Sequence, residues 1–155
     1  MPCARNPEFN LHPTSALKIR SMQTIYALSD EHLIQLHQLY QQEWWSETRT
    51  LEDTRRGVQG SQLRIGLVDE QDALIGFARV LTDYTFKAFI FDLIVRQDQR
   101  AQGIGKQLIA CIKTHEKLSR VQHFELYCLP EMFDFYAQQG FTAEVGGVRL
   151  LRYST

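Results

Sequence analysis

A chain of 155 residues with 44% hydrophobic content suits one globular core, and a formal net charge of -1 gives no electrostatic case for nucleic acid or an acidic membrane surface. No apolar run approaches the length that spans a bilayer, and the N-terminus lacks the uninterrupted apolar core of a secretion signal. Cys3, Cys111 and Cys128 lack metal-ligand spacing and read as reduced thiols, so the expectation is a cytoplasmic protein with no metal site.

Residues 1–20 contain three prolines, scattered basic residues and no sustained periodicity, which predicts a flexible arm or a leftover of cloning. The remainder, 21–155, reads as a single domain. Gln23 to Leu28 suits a first strand, and Ser29 or Asp30 can cap a helix whose apolar positions are Leu33, Ile34, Leu36, Leu39 and Tyr40. Thr50 can cap a second helix that reaches about Val58 and stops in Gly57 to Gly60. Strands follow over Leu63 to Val68 and Ala73 to Leu81, split by turn residues 69–72, and then over Phe86 to Val95. A helix from about Gly103 to Leu118 puts Ile104, Leu108, Cys111, Ile112 and His115 on one stripe. His123 to Cys128 reads as a strand, and Pro130 opens a helix closed by Gly140. A strand pair near Phe141 to Val145 and Val148 to Tyr153 completes the pattern.

Arg100-Ala-Gln-Gly103-Ile-Gly105 stands between the apolar run Phe89–Val95 and the long helix. A strand feeding a glycine turn and then a helix leaves backbone N–H groups unpaired at the positive end of the helix dipole, a ready anion site. Two familiar phosphate loops do not fit. Leu108 stands where the dinucleotide fingerprint needs its third glycine, and Arg100 and Gln107 break the P-loop pattern around Gly105-Lys106. What remains, R-x-x-G-x-G on a strand–turn–helix, resembles the acetyl-CoA pyrophosphate loop of the GNAT superfamily of N-acetyltransferases. Phe135-Tyr136-Ala-Gln-Gln-Gly140-Phe141 is similar to that family's second signature, F-Y-x-x-x-G-F, in the family's order and at about its separation.

The resemblance implies an α/β fold with a mixed, mostly antiparallel twisted sheet and helices on both faces. It implies acetyl-CoA as co-substrate and direct transfer to an amine in a ternary complex. Arg100, Ala101, Gln102, Gly103, Ile104, Gly105 and Lys106 would then cradle the pyrophosphate. The backbone of Leu93, Ile94 and Val95 would pair with the pantetheine arm like an added strand and offer an N–H, at Ile94 or Val95, to the developing oxyanion. Tyr136 occupies the family's general-acid position, the reading favoured over a core tyrosine that anchors its helix.

Asp92 interrupts an otherwise apolar strand, where a carboxylate is costly unless paired or protonated. It reads either as a general base or as a structural partner of Arg79 across the hairpin. Trp44, Trp45 and Arg49 lie in the segment that covers the acceptor in similar proteins. The indoles can wall an apolar pocket or pack under the helices, Arg49 can hold a carboxylate, and Tyr84 and Phe86 can add to the pocket. His115 reads as a core-edge residue, and an acyl-Cys128 intermediate is the less favoured mechanism. The expected acceptor is a small-molecule amine or amino acid. A larger acyl-CoA donor, protein lysine as acceptor and a non-catalytic CoA-binding module remain alternatives, and the apolar closing segment is compatible with a homodimer.

Overall fold

A computed structural model describes residues 21–155, so the arm expected over residues 1–20 lies outside the described residues. The elements are β1 (Gln23–Ile25), α1 (Asp30–Tyr40), α2 (Leu51–Gln59), β2 (Leu63–Val68), β3 (Leu74–Thr82), β4 (Lys87–Val95), α3 (Ile104–Lys113), β5 (His123–Leu126) and α4 (Phe133–Gln138). The strands form one five-stranded sheet in the order β1-β2-β3-β4-β5, antiparallel throughout except for the parallel β4–β5 pair. This is the mixed α/β sheet that the sequence led us to expect.

Local chemistry starts the first two helices where the sequence placed them. The Ser29 hydroxyl accepts from the His32 N–H while the His32 ring accepts from the Ser29 N–H, and Thr50 and Asp53 repeat this reciprocal cap on α2. Each such cap stabilises its helix by about 1 kcal/mol. Leu33, Leu36, Leu39 and Tyr40 of α1 bury against the sheet with Val58 of α2 and with Phe77 and Ile94. Ile34 is exposed, against expectation: at about 100° per residue it lies outside the arc that Leu33, Leu36 and Tyr40 share.

The opposite sheet face carries a second core, in which Ile104, Leu108, Ile109 and Ile112 of α3 pack on Ile65, Ile75, Val80 and Ile90. Full burial of each such aliphatic side chain contributes about 1.5–3 kcal/mol. α3 is shorter than the predicted 103–118. The chain leaves the helix at Thr114, and His115 caps a 3-10 turn at 116–118 that buries Leu118, so His115 does not extend the α3 stripe. The expected strand pair after Phe141 is absent. Gly146 and Gly147 turn the chain at positive φ, and Val148, Leu150, Leu151 and Tyr153 are exposed. Val148-Arg-Leu-Leu-Arg-Tyr153 is apolar without strict alternation, and the outer edge of β5 is left unpaired among the described residues.

Candidate functional site

β4 and β5 pair only from Lys87–His123 to Ile90–Leu126. Beyond Ile90 the two strands part, so Phe91 to Val95 keep β3 on one side and have no strand on the other. A β-bulge coincides with the parting. Phe91 pairs with Arg79 and Ile94 with Phe77, which leaves Asp92 and Leu93 opposite Ala78 alone, and Asp92 sits at φ 55°. Leu93 and Val95 pack toward the α3 core and Ile94 toward α1.

The bulge decides where Asp92 points. In an unbroken ladder Asp92 would share a face with Ala78, inside the α3 core, whereas the inserted residue swings it to the face of Arg79. There its carboxylate accepts from Arg49 Nη1 at 2.8 Å and Nη2 at 3.1 Å, from Arg79 Nε at 2.6 Å and from the Tyr40 hydroxyl at 2.9 Å. The Asp92 side chain is 5% exposed, against 16% for Arg79 and 31% for Arg49. Burial pushes its pKa up, and the Arg49 and Arg79 bonds more than offset this, holding it below the usual carboxylate range. Burial and the Asp92 charge push the Tyr40 phenol well above its ordinary value.

The loop after β4 meets the α3 N-terminus in a strained turn. Ala101 sits at φ 59° and Gly103 at φ 81°, the left-handed region that costs a side-chain-bearing residue about 1–2 kcal/mol. Gly103 is the N-cap and has no side chain to offer, so the first N–H groups of α3 are uncapped by side chains. The turn is tied down from two sides: a Cβ at Gly76 would lie 2.8 Å from Ile104, and one at Gly105 would lie 3.2 Å from Phe135. Gln102 and Lys106 are exposed. Arg100 folds back, its Nε donating to the Val95 carbonyl at 3.1 Å while its Nη2 pairs with the Glu43 carboxylate.

Tyr136 packs edge-on against Phe135 and Phe141, with ring centroids 5.0 and 5.9 Å away. Burial, then the neighbouring Cys128, push its phenol up to about 12. Burial and Glu131 raise the Cys128 thiol as well, so little of it is the nucleophilic thiolate at neutral pH.

The α1–α2 connection closes the site on the helix side. Trp45 packs edge-on to Tyr40 at 5.8 Å, and the Arg49 guanidinium lies over both rings at 5.3 and 4.8 Å. Trp44 is 68% exposed and does not pack under the helices. A cavity of about 290 Å³ opens between α2 and the Asp92 cluster, lined by Tyr40, Arg49, Arg79 and Asp92 with Gly57 as part of its wall. A second, of about 340 Å³, lies where the strands part, lined by Leu81, Phe89, Phe91 and Tyr127. Tyr84 and Phe86 lie outside both linings and are largely exposed.

Sequence reasoning missed Tyr40, Glu43, Phe91 and Tyr127. A tyrosine ending an aliphatic helix stripe was a signal, because a buried phenol needs a partner. Glu43 pairs across 57 residues and gave none. No group of three or more His, Cys, Asp or Glu among the described residues could hold a metal. No helix among them is long and apolar enough to cross a membrane.

Residues 62–143 match the family model of the GNAT acetyltransferase domain. An uncharacterized N-acetyltransferase, ycf52, of Pyropia yezoensis is 29% identical over 130 residues, 81% of this chain and 74% of that protein. A Glycine max protein described as histone acetyltransferase TAP1 is 34% identical over 87 residues, 52% of this chain and 35% of its own length. Among solved structures, a GNAT-family acetyltransferase of Xanthomonas campestris superposes with a TM-score of 0.75 at 25% identity, covering 86% of this chain and 94% of that one.

Proposed function

The chain belongs to the GNAT acetyltransferase family, and from that premise we propose that it moves the acetyl group of acetyl-CoA to a primary amine of a small molecule or amino acid, by direct transfer in a ternary complex. One observation carries this reading: the unpartnered edge of β4 leads, through a 3-10 turn at Gln97–Gln99 and the Arg100–Gly103 turn, to a helix N-terminus with no side-chain cap. An extended pantetheine arm fits the edge, and a pyrophosphate fits the backbone N–H groups.

Each step then has a group. Backbone from Arg100 to Lys106 holds the pyrophosphate, and the Arg100 side chain reaches it by exchanging its bonds to Val95 and Glu43. The Leu93–Val95 backbone holds the arm, and the N–H of Ile94 or Val95 polarises the thioester carbonyl. The lone pair of the neutral amine forms the C–N bond, the C–S bond breaks with its electron pair on sulfur, the Tyr136 hydroxyl donates its proton to that sulfur, and the proton lost from nitrogen restores the phenol. Tyr136 as the acid rests on its place in the F-Y-x-x-x-G-F segment; its phenol, at about 12, is protonated throughout the neutral range but is a weaker acid than a thiol, so the proton moves only as the C–S bond breaks. Asp92 acts as an anchor: a carboxylate already shared by two guanidiniums and a phenol is a poor proton acceptor, and it fixes Arg49 and Arg79 beside the acceptor. Trp45, packed on Tyr40 and Arg49, borders that acceptor site, whereas the exposed Trp44 lies outside both cavity linings. The raised Cys128 thiol favours direct transfer over an acyl-enzyme. The free thiols of Cys111 and Cys128 suit the reducing cytoplasm.

The soybean relative's description favours a second reading, in which the acceptor is a protein amino group. A free-thiol assay with acetyl-CoA over a panel of amines, amino acids and lysine peptides tests both. Thiol release that depends on a small amine supports the first reading, and release with peptides alone supports the second. No release with any acceptor, from protein that binds acetyl-CoA, leaves a CoA-binding module.

A further inference from the structure

Gly57 lies inside α2 although nothing in the packing calls for glycine there. A Cβ built on it would meet no atom within 4 Å, and the space it leaves open belongs to the cavity of about 290 Å³. Glycine destabilises a helix interior relative to alanine, so what it provides here is room. That room adjoins two guanidiniums that Asp92 does not exhaust. Arg79 spends Nε on Asp92 and Nη1 on the Ser61 hydroxyl at 3.4 Å, which leaves its Nη2 unbonded among the described residues, and the Arg49 side chain is 31% exposed. Arg64 stands opposite Arg79 in the β2–β3 ladder, hence on the same face, and has no ion pair among the described residues. Two carboxylates oppose these three cations: Asp92, and the exposed Asp53, which the Thr50 N–H and hydroxyl hold. The excess is one positive charge.

We propose that this cavity is a carboxylate subsite: the acceptor is an amino acid whose carboxylate lies on Arg49 and Arg79, in the room that Gly57 keeps open. This rests on the acetyl-transfer reading above. A carboxylate carries the single charge that the excess calls for. A phosphate dianion would leave the set negative, and an uncharged or purely cationic amine would leave the guanidiniums unmatched. The planar N–H groups of a guanidinium also fit the two oxygens of a carboxylate. Asp92 and Ile94 lie two residues apart on the α1 side of β4, about 7 Å along the strand, so an acceptor anchored on the guanidiniums that Asp92 holds reaches the Ile94–Val95 segment with its amine end. Asp92 is the positioning residue that keeps both guanidiniums in place.

β-Alanine and γ-aminobutyrate, each compared with its own carboxamide in the free-thiol assay, read the carboxylate directly. Losing a charge-assisted contact from a partly desolvated site lowers affinity by about 10- to 100-fold, so kcat/KM for each acid exceeds that for its amide by at least about ten-fold. Gly57→Leu fills the cavity. KM for the acids then rises by at least about ten-fold while acetyl-CoA binding, measured by calorimetry, stays within about two-fold, and the variant melts no lower than the wild type because leucine replaces glycine in a helix. Arg49→Gln leaves Arg79 to hold Asp92 and narrows the acid-to-amide ratio by at least about five-fold. Wild-type acids and amides that turn over within about three-fold of each other overturn the proposal and leave acetyl transfer standing. So does an acid preference that Arg49→Gln leaves intact, or an acid KM that Gly57→Leu leaves unchanged, since the carboxylate would then be read elsewhere. No thiol release with any amine removes the acetyl-transfer reading itself, and the proposal with it.

Discussion

Asp92→Asn nearly preserves the size of the side chain and removes its charge, leaving the Arg49 and Arg79 guanidiniums close together with no anion between them. Breaking a fully buried ion pair costs about 3–5 kcal/mol. Asp92 is almost fully buried while its partners reach solvent, so the expected loss is about 2–4 kcal/mol. For a domain of this size each kcal/mol moves Tm by about 2–4 °C, and the variant should melt about 4–16 °C below the wild type at pH 7. The difference also depends on pH in a fixed direction. A carboxylate with a depressed folded-state pKa contributes stability that is fully present above its unfolded value, about 3.9, and is lost as pH falls through the folded value. The gap between wild type and Asp92→Asn therefore narrows in acid. Urea melts at pH 7 and pH 3 measure it. A variant within about 0.5 kcal/mol of the wild type at pH 7, or a gap that widens in acid, would show that the cluster does not stabilise the fold as an ion pair.

Three further outcomes follow from the site. Gly103→Val places a β-branched residue at φ 81°, so acetyl-CoA binding weakens by at least about ten-fold by calorimetry while the melt shifts by about 1–2 kcal/mol. Tyr136→Phe lowers kcat by about 10²-fold, and the wild-type rate shows no loss from phenol ionisation up to about pH 10, because a proton donor near 12 is still protonated there. A wild-type rate that falls with an apparent pKa near 9, and loses that limb in the variant, contradicts the assignment. Cys128→Ala keeps turnover within about two-fold, and intact mass after incubation with acetyl-CoA alone shows no added acetyl group on the wild type.

The parts of the fold that were legible in the sequence are those set by residues close together in the chain. Ser29 and Thr50 announce α1 and α2 through caps three residues long. Gly103 marks the left-handed N-cap of α3, and Gly140, at φ 88°, ends the turn after α4. Asp92 showed itself as a carboxylate inside an apolar run, but the bulge that carries it to the Arg79 face depends on cross-strand register, which apolar patterning does not encode. The same holds for the Arg100–Glu43 pair, joined by tertiary packing alone. The end of α3 was overrun because Thr114 and His115 continue its polarity pattern while their backbone leaves the helix to bury Leu118. The closing strands were misread because Val148–Tyr153 is apolar without period-2 alternation, Leu150 and Leu151 being adjacent, so its composition fixes no strand face.

The central claim is that the donor lies along the open edge of β4 with its pyrophosphate on the α3 N-terminus. Amide hydrogen exchange with and without saturating acetyl-CoA tests where it lies. The account predicts slower exchange in Leu93–Val95 and in Ala101–Lys106, with no comparable slowing in β1 or β2. Protection confined to other segments, with these two unchanged, would contradict it.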